Sequence, residues 1–270
     1  MLPGYPFWVE RTEGARFDSS LQKKLYSHYV RQAICIEDGD LDSVCKTAAE
    51  HRISIYLGII ERAANRGGHS LYCSMVYIDA NGVIGSVHRK LMPTYEERLV
   101  WAIGDGNGLR THKLGAFTVG GLNCWENWLP LARSALYAQG EDLHVAIWPG
   151  NVRNTEDITR FIARESRSFV MSVSGLMRSS DISDDLPEAG ILQSSADAVM
   201  ADGGSCLASP TGEWLLQPET NVESLRLAEI DHRRVLEERQ NLDLSGHYSR
   251  PDVTRLTVNR KRQTTTEFTD

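Results

Sequence analysis

A cysteine at the end of a predicted strand is the strongest candidate for chemistry in this sequence. Cys124 ends an apolar segment at 119–124, and a predicted helix covers 130–139. In open α/β sheets, ligands bind where strands end and helices begin, and the positive end of a helix favours a thiolate over a thiol. The alternative interpretation is a small hydrophobic residue in the core. Two glycines precede Cys124 and two tryptophans follow it, which indicates a shaped pocket, so we predict a thiolate nucleophile.

A thiolate nucleophile requires a base and a cation that stabilises charge developing on the substrate. Residues 88–98 contain both types of group. Lys90 ends a predicted strand and would lie near the same rim as Cys124 if the two strands were parallel neighbours; the alternative is a solvated strand end. Glu96 and Glu97 point about 100° apart on a helix, so at most one of them faces a site. Helical phase leaves open which of the two that is.

The other four cysteines are interpreted as small hydrophobic residues on predicted strands or helices: Cys35, Cys45, Cys73 and Cys206. Other catalytic templates fail. The eight histidines show no HExxH spacing and the cysteines form no CxxC pair, so the sequence gives little support for a zinc site. The glycine-rich segment at 104–108 lacks the Gly-Lys-Ser/Thr ending of a P-loop, and no Gly-x-Ser-x-Gly elbow is present.

The hydrophobic pattern predicts an α/β domain. Helices are predicted over 17–33, 40–51, 130–139, 155–168 and 232–241. Strands are predicted over 53–60, 71–78, 83–89, 119–124, 143–148, 169–175, 205–209, 213–217 and 225–230. A long loop with a short helix near 95–100 is predicted over 91–113, and a polar surface segment over 176–202. Strands that alternate with helices through the middle of the chain imply βαβ units, and we predict one domain.

Three local patterns support these assignments. The first helix has apolar residues at spacing four, namely Phe17, Leu21, Leu25 and Tyr29. Asp40 and Asp42 are candidate N-caps of the second helix. The segment Asp79-Ala80-Asn81-Gly82 predicts a hairpin turn, because Asn-Gly favours the backbone conformation that such turns require.

The composition is that of an ordinary globular protein, with 41% hydrophobic and 24% charged residues among 270. The net charge of −7 gives no electrostatic reason to expect a nucleic acid or an anionic membrane as partner. No apolar run approaches the roughly 20 residues that span a bilayer, and no secretory signal is visible. The five widely spaced cysteines fit a reducing compartment, so we predict a cytoplasmic protein.

Several segments resemble the motifs of the nitrilase family, in its true nitrilase branch. The first comprises His88-Arg89-Lys90, Pro93-Thr94-Tyr95-Glu96-Glu97-Arg98-Leu99-Val100-Trp101 and Gly104-Asp105-Gly106. The second is Leu122-Asn123-Cys124-Trp125-Glu126-Asn127-Trp128-Leu129-Pro130-Leu131-Ala132-Arg133. Further similar motifs are Trp148-Pro149-Gly150 and Gly246-His247-Tyr248-Ser249-Arg250-Pro251-Asp252. The resemblance extends from Pro3 to about Leu256.

The resemblance implies a four-layer αββα sandwich that forms homodimers or larger homo-oligomers. It also implies a Cys-Glu-Lys triad with a second glutamate, in which Cys124 is the nucleophile, Lys90 the cation and Glu97 the second glutamate. It thereby selects Glu97 where helical phase left the choice open. The implied substrate is a small-molecule nitrile, which is converted to a carboxylic acid and ammonia without a metal or organic cofactor. Aromatic walls of the substrate pocket are predicted at Trp125, Trp128 and Trp148.

The N-terminus departs from the family pattern. The family's first catalytic glutamate lies a few residues before a Pro-Gly-Tyr-Pro motif, which stands here at 3–6. We therefore expect that glutamate, and the N-terminal strand–helix–strand unit that carries it, to be missing. A truncated gene product or mis-assigned start competes with a genuine short form that cannot catalyse, and retention of the three site residues favours truncation. Glu10 follows the motif and does not match the position of the missing glutamate.

The sequence leaves three functional hypotheses. The first is a nitrilase that works through a Cys124 thioimidate and thioester. The second is an amidase or carbamoylase of the same superfamily. The third is an inactive homologue that acts only through self-association. The predicted hydrolase domain covers 1–256, and a polar tail covers 257–270.

Overall fold

The computed structural model describes residues 4–12, 16–266 and 269. The chain forms two compact units. The first unit comprises the described residues of Met1–Gly108, Met177–Met200 and Lys261–Asp270, and the second comprises Leu109–Leu176 and Ala201–Arg260. The boundary between a domain at 1–256 and a tail at 257–270 stays a prediction.

The first unit contains an antiparallel sheet. Its initial elements are α1 (Trp8–Arg11), α2 (Ser20–Gln32), α3 (Asp42–His51), β1 (Ile55–Arg62), β2 (Leu71–Ile78) and β3 (Ile84–Arg89). The strands pair in the order β1-β2-β3, and every residue of the central strand β2 is buried. The predicted hairpin is confirmed, because Asp79 Oδ1 accepts hydrogen bonds from the N–H groups of Asn81 and Val83. Gly82 completes this turn with φ 79°, a conformation that glycine adopts without strain.

The residues at the N-cap positions of α2 and α3 differ from what the sequence pattern predicts. Ser19 Oγ accepts from the N–H of Gln22, so α2 begins at Ser20. The prediction that Phe17 belongs to the apolar face is therefore wrong: Phe17 precedes the cap and is fully exposed. The prediction of an aspartate cap on α3 is also wrong. Leu41 occupies that N-cap position, and the carboxylate of Asp40 instead accepts from the N–H of Cys35.

The rest of the chain adds the following elements in order. The strands are β4 (His112–Leu114), β5 (Phe117–Asn123), β6 (Leu143–Trp148), β7 (Phe169–Ser174), β8 (Leu176–Arg178), β9 (Val199–Asp202), β10 (Cys206–Ala208) and β11 (Trp214–Leu216). The helices are α4 (Pro130–Tyr137), α5 (Val152–Ser166), α6 (Ala189–Ser195) and α7 (Arg233–Arg239). Strands β8 and β9 pair with each other.

A six-stranded sheet in the order β11-β10-β7-β6-β5-β4 forms the centre of the second unit. Strands β5, β6 and β7 are parallel, which confirms the predicted βαβ units, and β4 and β10 are antiparallel to their neighbours. Helix α5 buries Ile158 and Ile162 against this sheet. The carboxyl ends of the three parallel strands share one edge, so the residues that follow β5 lie on the rim where α/β sheets bind ligands.

Two predictions for the second half of the chain are wrong. Residues 225–230 form no strand, and Leu225 and Leu227 are 87% and 79% exposed. An alternating apolar pattern forms a strand only beside another strand edge. Here the Arg226 side chain, which donates to the Ser205 carbonyl, makes the connection to the sheet region. The segment 176–202 is not simply polar surface. It contains α6 and two short strands, and its Leu192 is 1% exposed in the core of the first unit.

None of the described helices is long and apolar enough to cross a bilayer.

Truncation of Ile162 should destabilise the second unit. Its side chain is fully buried between α5 and the sheet, so Ile162→Ala removes buried methylene groups and leaves a cavity, at a cost of about 2–5 kcal/mol in the free energy of unfolding. Leu236→Ala on α7 is the control, because Leu236 is 61% exposed and surface truncations usually stay within about 0.5 kcal/mol. Urea unfolding measures both, and equal midpoints for the two variants would contradict this packing.

Candidate active site

Lys90 is a buried cation at the end of β3. Its side chain is 1% exposed, and its backbone N–H continues the sheet by donating to the carbonyl of Cys73 at 2.8 Å. The Nζ atom donates to Glu97 Oε2 at 2.6 Å and to Thr94 Oγ1 at 3.2 Å. It also lies 5.9 Å from the centre of the Trp101 ring. Lys90 is therefore an ammonium with fixed partners in the first unit, and the alternative of a solvated strand end is wrong.

A reciprocal capping box positions Glu97. The segment Tyr95–Leu99 is a short 3-10 helix, and the N–H of Thr94 donates to Glu97 Oε2 at 2.5 Å. The Glu97 side chain is 2% exposed. The two bonds to the same carboxylate oxygen tie the acidic group to the cation and to the start of the helix. The geometry thus resolves the helical phase that the sequence left open, with Glu97 directed at Lys90.

Glu96 has different partners. The hydroxyl of Tyr5 donates to Glu96 Oε1 at 2.7 Å. Burial, followed by the negative charge of Glu97, raises the pKa of Tyr5 far above its usual value. Burial also raises the pKa of Glu10, and its interaction with Glu96 raises it further. Burial alone would raise the pKa of Glu96, but the hydrogen bonds from Tyr5 and Glu10 outweigh it and lower the pKa.

The sequence analysis does not predict the roles of two residues near Lys90, namely Gly104 and Glu61. A Cβ on Gly104 would lie 2.3 Å from the carbonyl oxygen of Arg89, so only glycine permits this close approach, in which the Gly104 N–H donates to the Lys90 carbonyl at 2.9 Å. Glu61 accepts from Arg89 Nη2 at 2.5 Å, and both side chains are 4% exposed. Ser74 Oγ donates to the same carboxylate at 2.6 Å. These contacts fix the backbone on both sides of Lys90.

Cys124 follows β5 in the second unit. It is 7% exposed and has φ 51°, in the left-handed region that non-glycine residues rarely adopt. It begins a short 3-10 turn, Cys124–Trp128, and α4 begins only at Pro130. The helix predicted over 130–139 is confirmed as α4, and the 3-10 turn lies between it and the end of β5. The strained backbone at a strand end is the feature that distinguishes Cys124, because such outliers cluster at functional sites.

Buried polar groups stabilise the Cys124 turn, and the sequence reasoning missed them. The N–H of Asn123 donates to Glu126 Oε1 at 2.6 Å, in a second capping box. Asn127 Nδ2 donates to the carbonyls of Leu122 and Cys124 at 3.2 and 2.9 Å. The Asn-x-x-Glu spacing was an available signal for this box, whereas the long-range partners of Asn127 carry no local pattern.

The three predicted pocket tryptophans differ in environment. Trp148 is 2% exposed and belongs to the same buried cluster as Cys124, and its indole N–H donates to Ser172 Oγ at 3.2 Å. Trp125 and Trp128 are 49% and 41% exposed, with ring centres 6.2 Å apart. Their role as walls of a substrate pocket stays a prediction.

The other cysteines lack the backbone strain of Cys124. All five cysteines are free thiols. Burial raises the pKa of Cys206 to about 11, and burial also raises the pKa values of Cys35 and Cys45. A raised pKa lowers the thiolate fraction at neutral pH. Within the described ranges, no group of three or more His, Cys, Asp or Glu side chains could hold a metal ion.

The predicted site residues therefore fall into two groups. Lys90 and Glu97 contact each other in the first unit, and Cys124 packs with Trp148 in the second. The sequence predicts that Lys90 lies near Cys124 if their strands are parallel neighbours. This condition is not met, because β3 and β5 belong to different sheets.

Removal of one charge from the Lys90–Glu97 pair should destabilise the first unit strongly. Lys90→Met or Glu97→Gln leaves the other charge buried without its counter-ion, which costs about 3–5 kcal/mol. The double variant removes both charges and should lose much less than the sum of the single variants. Urea unfolding of all four proteins measures this coupling free energy.

The exposed pair Lys46–Glu50 is the matched control for this cycle, since its side chains are 76% and 56% exposed. Its coupling should be about 0.5 kcal/mol or less. Additive losses for Lys90 and Glu97 would mean that the two charges do not stabilise each other.

Comparison with known proteins gives the chain a family. The family model described as carbon-nitrogen hydrolase matches residues 2–240. "Nitrilase 2" from an unknown prokaryotic organism is 32% identical over 270 residues, which is 100% of this chain and 82% of that protein. An aliphatic nitrilase from Sinorhizobium fredii (strain HH103) is 32% identical over 91% of this chain and 77% of its own length. A bifunctional nitrilase/nitrile hydratase from Nicotiana tabacum is 30% identical over 87% of this chain and 67% of its own length.

Solved structures show the same fold at lower identity. A carbon-nitrogen hydrolase from Helicobacter pylori G27 aligns with a TM-score of 0.64 at 18% identity, over 88% of this chain and 78% of that one. An amidase from Nesterenkonia sp. aligns with a TM-score of 0.51 at 15% identity, over 70% of this chain and 66% of that one. The predicted α/β fold of the nitrilase type and the family resemblance are both confirmed. The chain belongs to the carbon-nitrogen hydrolase family and is an enzyme that hydrolyses carbon–nitrogen bonds.

Proposed function

We propose that this enzyme hydrolyses a small-molecule nitrile to a carboxylic acid and ammonia, with Cys124 as the nucleophile. The observation that carries the proposal is the strained, buried cysteine that follows a central parallel strand. The choice of a nitrile over an amide rests on the relatives, which are named nitrilases at 30–32% identity over most of this chain. The amidase likeness is 15% identity and concerns the fold.

The first chemical step is attack on the nitrile carbon. The thiol of Cys124 gives its proton to a carboxylate base, a role that the family resemblance assigns to a glutamate before the Pro-Gly-Tyr-Pro motif at 3–6 and to no residue named in this chain. The sulfur forms a bond to the nitrile carbon while the C≡N bond loses one π pair to nitrogen. Protonation of this nitrogen gives a thioimidate. We assign Lys90 to stabilise the charge on nitrogen and to help deliver the proton, because it is a buried ammonium whose partners are fixed.

The later steps release ammonia and regenerate the thiol. One water adds to the thioimidate carbon, the C–N bond breaks, and ammonia leaves a thioester. A second water cleaves the C–S bond, so that the sum is one nitrile and two waters converted to one acid and one ammonia. If the first tetrahedral intermediate breaks its C–S bond instead, an amide is released, and an amide is therefore the expected side product.

Glu97 has the role of a positioning carboxylate in this scheme. It accepts from the Lys90 ammonium at 2.6 Å and from the Thr94 N–H at 2.5 Å. These bonds orient the Lys90 side chain. No step in the scheme uses a metal or an organic cofactor, and the five free thiols fit a reducing compartment such as the cytoplasm.

Ammonia release tests the proposal. The wild-type protein should release ammonia from aliphatic or arylacetonitriles, and Cys124→Ala should abolish this activity, since no other group in the scheme forms the covalent bond. Cys45→Ser is the matched control, because Cys45 lies on α3 and belongs to a different unit from Cys124, and it should keep wild-type activity. Chromatography of the products measures the ratio of acid to amide.

Three results would revise the function. Equal ammonia release by wild type and Cys124→Ala would remove Cys124 as the nucleophile. Faster turnover of the matching amides or N-carbamoyl compounds than of nitriles would favour an amidase or carbamoylase. Absence of turnover on all three classes would favour a homologue that acts only through self-association.

Thiol labelling separates a working pocket from an inert one without any substrate. With iodoacetamide at pH 7, Cys124 should be alkylated before the other buried cysteines. Burial raises the pKa of Cys206 to about 11, so its thiolate fraction at pH 7 is about 10⁻⁴ and its labelling is slow. Peptide mapping by mass spectrometry reports the labelling of each cysteine. If the partly exposed Cys45 is labelled and Cys124 is not, the result would argue for the inactive homologue.

A further inference from the structure

The left-handed turn at Cys124 needs a restraint from side chains. A non-glycine residue with φ of 51° has a strained backbone. Asn127 supplies the restraint, because its Nδ2 donates to the carbonyls of both Leu122 and Cys124. The two carbonyls lie on either side of the bend. The orientation of the Asn127 amide therefore decides where the Cys124 side chain points.

His144 fixes the orientation of that amide. His144 lies on β6, is fully buried, and has Nε2 at 2.7 Å from Asn127 Oδ1. Since Nδ2 of Asn127 is committed to two carbonyl acceptors, its Oδ1 must face the ring, and His144 Nε2 must carry a hydrogen. Arg133 Nη1 donates to the backbone carbonyl of Asn127 at 2.7 Å, which also holds the backbone of this residue.

Glu141 fixes the ring of His144. Its Oε1 lies 3.0 Å from His144 Nδ1, and both residues are fully buried. A Cβ on Gly120 would lie 2.3 Å from this same oxygen, so the glycine in β5 leaves the space that the carboxylate occupies. The second oxygen, Oε2, has no hydrogen-bond partner among the described residues. A buried carboxylate with one unsatisfied oxygen costs stability, so its presence beside His144 requires an explanation.

We propose that Glu141, His144 and Asn127 form a chain of positioning residues that holds the Cys124 turn in its left-handed conformation and so sets the direction of Sγ. The inference rests on the proposed role of Cys124 as nucleophile. The chain acts through hydrogen bonds alone: Glu141 orients the His144 ring, His144 orients the Asn127 amide, and the amide holds the two carbonyls of the bend.

The decisive variant is His144→Leu, which removes the donor to Asn127 Oδ1 while keeping a buried side chain of similar size. A loss of position of about 1 Å lowers turnover by about 10²-fold. We expect kcat on the nitrile substrate to fall about 10- to 100-fold with KM changed less than about threefold. The rate of Cys124 alkylation by iodoacetamide should fall by about tenfold or more. His144→Gln, which restores a donor near the position of Nε2, should recover most of both rates.

His232→Leu is the matched control. His232 also pairs with a carboxylate, Asp142 Oδ2 at 2.9 Å, in the same unit. Asp142 Oδ1 in turn accepts from the N–H of Thr118 at 2.7 Å. Thr118 lies at the opposite end of β5 from Cys124. This variant should leave kcat and the alkylation rate at wild-type values.

Alkylation separates failure of this proposal from failure of the proposed function, because it needs no substrate. If nitriles are not turned over, the alkylation rates of the same variants still decide the question. Wild-type kcat and alkylation rates in a folded His144→Leu protein would overturn the proposal, as would a failure of His144→Gln to recover either rate. If His144→Leu does not fold, the isosteric Asn127→Asp decides: it loses both bonds to the bend, and wild-type rates in it would also overturn the proposal.

Discussion

Burial of charged and polar groups at the ends of strands is the constraint on which the candidate site depends. An ammonium removed from water is stable only with a partner that compensates its lost hydration. Lys90, 1% exposed at the end of β3, meets this requirement through Glu97. This need for a counter-ion explains why the capping box that contains Glu97 lies only a few residues after Lys90 in the chain. Thr94 donates to the same carboxylate oxygen and so fixes the place at which the counter-ion must lie.

The same constraint operates in the second unit, where the backbone is the group that needs partners. At the sharp turn after β5, the Asn127 amide donates to two backbone carbonyls, those of Leu122 and Cys124. Glu126 satisfies the N–H at the start of the turn. These polar side chains are themselves buried and need hydrogen-bond partners. Asn127 has His144 as a partner, and His144 in turn has Glu141. A buried network of hydrogen bonds therefore supports the strained turn at Cys124.

Sequence patterns predicted the elements well where local chemistry decides. The hairpin at 79–82 and the parallel strands β5 to β7 follow from Asn-Gly and from apolar runs separated by an amphipathic helix. Errors occurred where a distant partner decides. Residues 225–230 carry a strand pattern without an adjacent strand, and Leu192 lies in a polar segment yet is buried by the first unit. The sequence patterns also did not predict the 3-10 turn at Cys124–Trp128 that precedes α4.

The sequence by itself determined the family and the identities of the candidate catalytic groups, because Cys124, Lys90 and Glu97 lie in contiguous motifs whose spacing is readable along the chain. The tertiary structure alone decided how those groups are held. The choice of Glu97 over Glu96 as the partner of Lys90 is a matter of distance. So is the contact between Asn127, in the Cys124 turn, and His144 on β6. Hydrogen bonds act over about 3 Å in space, and a linear sequence does not contain the packing that brings β5 and β6 side by side.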